Sequence, residues 1–418
     1  MMILVSSEER FSKTADGQVW SSGAGAYSFW TRYLDVFDQV RVLGRVLPVA
    51  EAPTSSQRAD GESVTFEEVP CYIGPLQYAR KYFSIRTAIR GALARTESVV
   101  LRAASPIANA VHREMVSDHP FGVEVIGDPY EVFAPGSIHH PARPLLRWTM
   151  TNELKRQCRG ASAVAYVAGS VLPHRYPSRT DAFTTTYSSI ELLDHSYAAE
   201  PRTFEARSAP LRIVSMGTLE VPYKGFDVLI DAVSACVRKG MAIQLTIVGN
   251  GRCRGALEAR ARERGIENVV RFTGRVPAGA RVREVLDGAD LFVLASKTEG
   301  LPRAMIEAMA RGLPCIGSAV GGIPELLGAS ELVPRGNAAA LAAKIEEVAM
   351  DFDRMTRISA ENLAKAHEYD DSILRCRRRQ FLNHVQDATE EWSRMRARTG
   401  SIRKPRSEES TVEVESLQ

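Results

Sequence analysis

Residues 290–318 read DLFVLASKTEGLPRAMIEAMARGLPCIGS, and this stretch predicts a strand, a loop, a helix and a second strand. The apolar run 290–296 is typical of a buried strand. Glu299 and Glu307 follow it, with Gly300 and Pro302 between them at the start of the helix. Carboxylates accept hydrogen bonds from hydroxyl groups, and the amide groups at a helix N-terminus face an anion. The stretch therefore predicts a binding site for a ligand that carries hydroxyl groups and a phosphate.

Length and composition favour a two-domain globular enzyme. The chain has 418 residues, of which 44% are hydrophobic and 25% charged, and this length exceeds one ordinary core. The net charge of +3 gives no overall field that would attract nucleic acid. The six cysteines form no C-x-x-C pair. That pattern argues against a zinc site or a disulfide framework, and it indicates a reducing cytoplasm.

The sequence also argues against a membrane-spanning protein, because no apolar run approaches the roughly 20 residues that a spanning helix needs. Residues 1–5 (MMILV) turn polar at residues 6–10 and lack the basic start of a signal peptide. They predict the first strand of the fold.

The first half of the chain alternates strand and helix signals, which indicates a parallel α/β sheet. The predicted strands are 3–5, 40–43, 98–101, 123–126 and 163–167, and the predicted helices include 25–37 and 76–95. We predict an N-terminal Rossmann-like domain over residues 1–200 and a proline-bounded linker over 201–210.

The second half repeats the alternation more regularly and predicts a second Rossmann-like domain over residues 211–370. Its predicted strands are 211–215, 243–248, 269–272, 291–295 and 315–317, and its predicted helices are 226–238, 254–264, the segment over Glu307, one opening at 323–327, 338–350 and 353–366. A basic helix over 373–385 belongs to a C-terminal segment, 371–393, that either ends the domain or crosses back to the first. Residues 394–418 form a charged tail that we expect to be disordered.

Three loops of the second predicted sheet have the residues that a phosphate group requires. Residues 215–225 (SMGTLEVPYKG) turn at Gly217 and Thr218 and place Lys224 before a helix. Two glycine pairs follow later strands: Gly249 with Gly251, and Gly321 with Gly322. Neither a dinucleotide fingerprint nor a P-loop is present. Each loop alone is a weak signal, but all three lie at strand ends, where open α/β sheets bind ligands.

No motif predicts a metal ion. The D-x-D pair Asp351 and Asp353 falls between helices and is interpreted as surface charge, and the His139-His140 pair lacks an H-E-x-x-H context. We expect no metal and no other cofactor.

Basic residues interleave with apolar ones in 80–95, and a second basic set occupies 143–159. A solvated helix face over a core-facing stripe is the preferred interpretation, and contact with an anionic membrane surface is the alternative.

Taken together, these motifs resemble the GT-B glycosyltransferases of family 4, the retaining enzymes that use nucleotide sugars. The resemblance is strong over 211–327. It rests on the E-x7-E element, Lys224-Gly225, the VGNG turn at 248–251, the FTGRV turn at 272–276 and the paired glycines. Over 1–200 it is weaker and rests on Gly23-Ala-Gly25, on Ser105-Pro106 and on strand order.

The resemblance implies two Rossmann-like domains that face each other across a cleft. It also implies residue roles: Glu299 would contact the donor sugar, Glu307 the ribose hydroxyls and Lys224 the diphosphate. Backbone at Arg275 and Val276 would line the base. Backbone at Gly300, Leu301 and Gly322 would stabilise the leaving phosphate. The other candidate substrate-binding residues are Gly23, Gly25, Gly217, Thr218, Gly249, Gly251 and Gly321.

Three positions depart from the family pattern. Thr218 stands where members usually have an arginine that assists the lysine. Lys224 therefore either has less help or is assisted by a substitute such as Arg252 or Arg254. Arg102 and Ala104 occupy a segment that often carries a histidine. Gly127-Asp128 replaces a frequent His-Asp. Asp128 either orients the acceptor hydroxyl as a catalytic residue or caps the turn before Pro129.

The expected function is retaining transfer of a hexose-type sugar from a nucleotide-diphosphate sugar to a hydroxyl acceptor, in polysaccharide or other cell-surface glycan biosynthesis. The acceptor is a lipid-linked glycan or, alternatively, a soluble natural-product core. The expected location is the cytoplasm or the inner face of the membrane. A sugar-nucleotide epimerase and an inactive binding subunit remain as further alternatives.

Overall fold

The computed structural model describes residues 1–54, 56–135, 140–205 and 210–399. Within these ranges the chain forms two α/β units, each built on one sheet. The first sheet has nine strands: β1 (Met2–Lys13), β2 (Val19–Ser21), β3 (Gln39–Pro48), β4 (Gln57–Arg58), β5 (Val64–Pro70), β6 (Ser98–Ala103), β7 (Gly122–Val125), β8 (Ala163–Tyr166) and β9 (Phe183–Thr186). The second has six: β10 (Leu211–Met216), β11 (Ile243–Val248), β12 (Val270–Gly274), β13 (Leu291–Leu294), β14 (Cys315–Ser318) and β15 (Leu332–Val333).

The helices alternate with these strands. Those of the N-terminal half are α1 (Tyr27–Trp30), α2 (Gly74–Arg80), α3 (Tyr82–Leu93), α4 (Pro106–Glu114), α5 (Pro129–Val132), α6 (Arg143–Gly160) and α7 (Val171–Arg175). Those of the C-terminal half are α8 (Phe226–Arg238), α9 (Arg254–Glu263), α10 (Ala280–Asp287), α11 (Arg303–Ala310), α12 (Ile323–Leu326), α13 (Ala338–Ala349), α14 (Phe352–Ala366) and α15 (Asp371–Thr399).

In each sheet the order in which successive strands are added reverses at one point, and this point positions the site. The second sheet has the order β12-β11-β10-β13-β14-β15 with all pairs parallel. The parallel part of the first sheet has the same kind of order, β5-β3-β1-β6-β7-β8-β9. In such sheets the loops after the two central strands diverge and leave a crevice at the carboxyl ends. The crevices lie after β10 and β13 in one unit and after β1 and β6 in the other.

The strands that flank each crevice are buried on both faces. Leu291 and Val293 of β13 pack in one core of the second unit, and Phe292 and Leu294 pack in the other. Successive side chains of a strand point to opposite faces, so helices on both sides produce the continuous apolar run seen in the sequence.

The C-terminal helix α15 belongs in part to the first unit. Its residues Phe381, Leu382 and Val385 lie in the same core as Ile3 and Val5 of β1. An ion pair between Arg375 and Asp35, with 2.6 Å between nitrogen and oxygen, adds a polar contact to this packing. The two units are therefore joined by the chain near residue 200 and again by α15.

The connection between the units starts earlier than the predicted linker 201–210. Ile190 and Leu192 already pack in a core of the second unit, and Arg202 donates to backbone carbonyls at Leu286, Ala289 and Arg311. Residues 206–209 lie outside the described ranges.

Several predicted elements differ from the structure. The helix predicted over 25–37 is only the single turn α1 followed by a 3-10 turn. The helix predicted over 76–95 breaks at Lys81, whose backbone is not helical. The helix expected to open at 323 ends after one turn because Leu327 is extended. The basic helix is longer than 373–385: α15 continues to Thr399, so residues 394–399 are helical rather than disordered, and the rest of the predicted tail lies outside the described residues.

Candidate functional site

The loops after β10 and β13 bring Lys224 and Glu299 together. Lys224 Nζ donates a hydrogen bond of 2.6 Å to Glu299 Oε1, and the buried Ser296 hydroxyl donates to the same oxygen at 2.6 Å. Only 14% of the Lys224 side chain and 7% of the Glu299 side chain are exposed. The pair is thus an ordered, largely desolvated ion pair at the crevice of the second sheet.

Gly225 allows this pair to form. It caps the N-terminus of α8 with φ +67°, in the left-handed region that favours glycine. A Cβ atom at this position would lie 1.9 Å from the Ala295 carbonyl oxygen at the end of β13. The absence of a side chain therefore lets the Lys224 loop approach the strand that carries Glu299.

The other predicted glycines mainly serve backbone packing around the pair. A Cβ on Gly249 would lie 1.9 Å from the Gly217 oxygen, and one on Gly321 would lie 2.0 Å from the Glu299 oxygen. Gly249 and Gly322 also use their amide groups internally, donating to Gly274 and Gly300 respectively. Because its amide is bonded to Gly300 at 2.7 Å, Gly322 does not present a free donor to a phosphate, contrary to the expectation from the sequence.

Gly251 and Thr218 also take part in close packing and hydrogen bonding between these loops. A Cβ on Gly251 would lie 2.3 Å from the Glu220 nitrogen, and the Thr218 hydroxyl accepts from that nitrogen at 3.2 Å. Arg252 and Arg254, the expected substitutes for the missing arginine, point elsewhere: Arg252 donates to the Glu220 carbonyl at 2.6 Å and Arg254 pairs with Glu258 at 2.7 Å.

A cleft of about 960 Å³ separates the two units, and several of the candidate residues line it. Those on the C-terminal side are Gly217, Thr218, Lys224, Glu299, Gly300, Leu301, Arg303 and Glu307. Those on the N-terminal side include Glu9, Gly25, Phe29, Arg32, Arg102, Glu124 and Asp128. Gly23, Gly249, Gly251, Arg275, Val276, Gly321 and Gly322 are not part of this lining.

Glu307 lies on α11, the helix that follows the loop with Glu299. Its carboxylate has no hydrogen-bond partner among the described residues. Burial raises the pKa of this carboxyl above its usual value, although the positive charge of Arg303 opposes the shift. A half-buried carboxylate with free acceptor sites at the wall of a cleft is suited to bind a pair of hydroxyl groups. The sequence predicted no role for Arg303. This residue lies within the E-x7-E element at the start of a helix, where an arginine is usually a surface residue.

The glycine loop of the N-terminal unit is already occupied. Glu9 accepts hydrogen bonds from the amide groups of Gly23 at 3.1 Å and Gly25 at 2.9 Å, and from the Ser21 hydroxyl. Gly23 and Gly25 are two of the candidate substrate-binding residues, and both amides are therefore bonded within the protein. The sequence could not reveal this contact, because it depends on a long-range pairing. Strand β1 runs on to Lys13 and the chain returns through β2, and this antiparallel pairing brings Glu9 next to the loop.

Asp128 acts as a helix cap in the structure. It accepts from the Tyr130 amide at 3.0 Å at the start of α5. Its carboxylate also accepts from the Tyr176 hydroxyl at 2.5 Å and from the Arg175 guanidinium. With both oxygens engaged and only 4% of the residue exposed, the structure favours the capping alternative over a catalytic role.

Polar contacts link the two units on either side of the cleft. Arg275 donates to the Ser22 carbonyl at 2.6 Å, beside the glycine loop. Glu325 of α12 accepts from the Gly169 and Ser170 amides, both at 2.8 Å. Val276 packs against a core of the C-terminal unit. Arg275 is therefore a contact between domains in this arrangement.

Other sequence predictions concern metals and membranes. Asp351 caps α14 by accepting from the Arg354 amide at 2.8 Å. His139 lies outside the described residues. In the part of the chain that the structure describes, no group of three or more His, Cys, Asp or Glu residues is arranged to hold a metal ion. None of the helices in the same ranges combines the length and apolar character needed to cross a membrane.

Comparison with solved structures identifies the architecture. The Anabaena protein Alr3699/HepE in complex with UDP-glucose aligns with 94% of this chain and all of its own, with a TM-score of 0.62 at 17% identity. The chain has the GT-B fold. The predicted fold class of two parallel-sheet domains is thus confirmed. One GT-B domain contains strands β1–β9, and the other contains β10–β15.

Sequence comparisons point to glycosyltransferases. Residues 210–351 match the family described as "Glycosyl transferases group 1". The chain is 27% identical to "Protein CapJ" of Staphylococcus aureus over 71% of this chain and 74% of that protein. It is 32% identical to the "Putative colanic acid biosynthesis glycosyltransferase WcaL" of Escherichia coli K12, over 42% of this chain and 45% of that protein. The GT-B domain that carries Glu299 is thus similar to domains of group 1 glycosyltransferases.

Proposed function

We propose that this GT-B protein is a glycosyltransferase that moves a sugar from a nucleotide-diphosphate sugar to a hydroxyl group of a glycan acceptor. The ion pair between Lys224 and Glu299, 2.6 Å long, lines the same cleft as Glu307, and it is the observation that carries the proposal. A cation, a hydrogen-bond acceptor and a second carboxylate on one lining are suited to a diphosphate, a sugar and a ribose.

Each residue then has a chemical task. When the donor binds, its diphosphate competes with Glu299 for the Lys224 ammonium, and the cation stabilises the negative charge that develops on the leaving group. Glu299 is released to accept hydroxyl hydrogen bonds from the sugar. Glu307 accepts those of the ribose. Arg303, at the start of α11, supplies a second positive charge on the lining of the cleft, and we assign to it the phosphate contact that Thr218 does not provide.

We further propose that transfer retains the anomeric configuration and serves polysaccharide biosynthesis. The chemical support for retention is a donor site with phosphate contacts, opposite a wall whose described carboxylates are already bonded to neighbouring groups. These carboxylates are Glu8, Glu9, Glu124 and Asp128. The similarity to WcaL supports a glycan acceptor, and the similarity to CapJ extends beyond the second domain.

The first test is a thermal-shift panel of UDP, GDP, ADP and dTDP, with the corresponding nucleotide sugars. We expect one nucleoside diphosphate to raise the melting temperature, because a ligand that binds only the folded state stabilises it. An absence of any shift across the panel contradicts the proposed function. Release of an altered nucleotide sugar without an acceptor would instead identify an epimerase.

Nucleotide affinity should depend on pH through Glu307. The carboxylate form accepts two ribose hydroxyls, and burial raises the pKa of this group in the free protein. As pH falls through that raised pKa, protonation removes the better acceptor, so the affinity for the nucleoside diphosphate should fall; well above it the affinity should be constant. Isothermal titration calorimetry over a pH series measures this.

Glu307→Gln provides the control for that pH series, because the phosphate of the ligand titrates as well. The variant should bind about 10- to 100-fold more weakly at neutral pH, as expected for lost charge-assisted hydrogen bonds. It should also retain only the pH dependence of the ligand. Identical pH profiles for both proteins would remove Glu307 from the ribose site.

A membrane-facing location is supported by exposed aromatic residues on two helices of the N-terminal unit. Phe83 on α3 is 78% exposed and Trp148 on α6 is 65% exposed. Both helices begin at the carboxyl edge of the first sheet, and basic residues accompany them: Arg80, Lys81, Arg143 and Arg147. Arg86 and Arg90, by contrast, pair with Glu114. Aromatic side chains with flanking cations suit an anionic bilayer surface.

We therefore expect the protein to sediment with vesicles that contain phosphatidylglycerol, and less at high salt, which screens surface charge. The double variant Phe83→Asp/Trp148→Asp should reduce the vesicle partition coefficient about tenfold or more, because two aromatic side chains no longer bury apolar area. Met350→Asp, which changes a residue 73% exposed on the C-terminal domain, should have no effect. Equal binding by all three proteins contradicts this location.

A further inference from the structure

The N-terminal wall of the cleft carries two arginine side chains that its carboxylates engage only in part. Arg32 and Arg102 both line the cleft, and both guanidinium groups stack on Phe29, at 4.1 and 4.3 Å from the ring centre to Cζ. Arg378 of α15 is buried, and its charge acts after burial to lower the pKa of the Arg32 guanidinium. It is not part of the cleft lining.

The carboxylates next to these arginines are fewer and are already shared. Arg102 Nε lies 3.1 Å from Glu124 Oε2, but the Tyr33 and Tyr187 hydroxyls also donate to Glu124, at 2.9 and 2.8 Å. Burial and this carboxylate raise the pKa of the Tyr33 hydroxyl, which therefore keeps its proton and remains a donor.

Arg32 has one acid partner, the half-exposed Glu191, at 2.7 Å from its Nη2 atom. Its Nε atom is buried and has no hydrogen-bond partner among the described residues, and the same holds for Nε and Nη1 of Arg378. Arg32 and Arg378 are 9% and 4% exposed. Buried donors without partners are costly and are normally satisfied, so this wall has unused capacity for an anion.

Three other carboxylates lie on this wall, and one of them, Asp128, is held by Tyr176 and Arg175. Glu9 is held by the amide groups of Gly23 and Gly25. Glu8 accepts from the Tyr72 hydroxyl at 3.0 Å and lies 3.3 Å from Arg45. Both are bonded to donors other than Arg32 and Arg102.

We propose that Arg32 and Arg102 form an acceptor subsite for an anionic group, either the carboxylate of an acidic sugar or a phosphate. The inference rests on the proposed function, because the opposite wall holds the donor through Lys224, Glu299 and Glu307. Planar guanidinium groups bind carboxylate and phosphate oxygens with paired hydrogen bonds. The stack on Phe29 fixes both groups before the ligand arrives. The enzyme thereby selects an acidic acceptor over a neutral one.

The test uses ligand-observed NMR on the full chain, saturated with the nucleoside diphosphate that the thermal-shift panel selects. The probes are methyl glucuronide, glucose 1-phosphate and, as the neutral match, methyl glucoside. We expect at least one charged probe to bind about tenfold or more tightly than methyl glucoside, in line with a charge-assisted hydrogen bond. The two charged probes distinguish a sugar carboxylate from a phosphate.

Three variants make the assignment specific. Arg102→Gln should reduce the affinity for the charged probe to that of the neutral one, and Arg102→Lys should retain part of the preference. Arg281→Gln, at an exposed arginine on α10 that pairs with Glu284, should behave as wild type. Equal binding of charged and neutral probes, or an unchanged preference in Arg102→Gln, overturns the inference. Nucleotide binding is measured first in the same sample. A wild-type protein that binds no nucleotide would contradict the proposed function rather than this inference.

Discussion

Replacement of Glu299 by Gln should slow sugar transfer about 10²–10³-fold and leave nucleoside diphosphate binding intact or slightly tighter. The amide keeps the size of the side chain but not its charge, so the donor sugar loses its anionic hydrogen-bond acceptor at the reacting centre. Loss of one such preorganised group typically costs about 10²–10³ in kcat, or about 3–4 kcal/mol. At the same time Lys224 no longer pairs with a carboxylate 2.6 Å away and is freer to bind the diphosphate.

Glu346→Gln is the matched control for this substitution. Glu346 forms an equivalent pair with Lys239 on the surface, where the two side chains are 39% and 56% exposed. Such a surface pair contributes about 0–1 kcal/mol, so activity and stability should be unchanged. Steady-state kinetics and calorimetry separate the two effects. Near-normal kcat in Glu299→Gln would remove Glu299 from the donor site.

Gly225→Ala should strongly destabilise the fold beside the site. Alanine at φ +67° costs about 1–2 kcal/mol from backbone sterics alone. Its Cβ would also stand 1.9 Å from the Ala295 oxygen, and relief of such overpacking costs about 1–3 kcal/mol more. We expect the free energy of unfolding to fall by roughly 2–5 kcal/mol. Transfer should fall as well, because the loop that carries Lys224 must move away from β13.

Gly240→Ala separates backbone strain from the steric clash. Gly240 also has a positive φ, +91°, but an added Cβ would meet no atom within 4 Å. It should therefore show only the backbone cost of about 1–2 kcal/mol, with kcat unchanged. Urea unfolding followed by circular dichroism provides the comparison. Equal destabilisation by both variants would mean that close packing at Gly225 does not position Lys224.

Local patterns predicted the second domain well. The buried run at 291–294, the lysine before α8 and the carboxylate after β13 are all properties of short segments, and parallel order then brings them to one crevice. Sequence alone therefore predicted that Lys224, Glu299 and Glu307 share one side of the cleft, and it predicted the fold class.

Long-range pairing limited what could be predicted in the first domain. The contact of Glu9 with the glycine loop depends on the return of β2 along β1, and β5 and β9 have too many polar residues to give a clear strand signal. The electrostatic interaction of Arg32 with Arg102 and Arg378 joins three segments, one of them on α15. No sequence motif relates residues that lie so far apart in the chain.

The most direct test of the donor site is a ¹H NMR assay of nucleotide-sugar consumption, in which the anomeric proton of the donor and that of the product are followed together. We expect wild type and Glu346→Gln to cleave one donor of the panel, release its nucleoside diphosphate and give a first product with the donor's anomeric configuration, whereas Glu299→Gln should cleave it about 10²–10³-fold more slowly. Cleavage at a near-normal rate in Glu299→Gln, or a wild-type protein that cleaves no donor, would contradict this donor site.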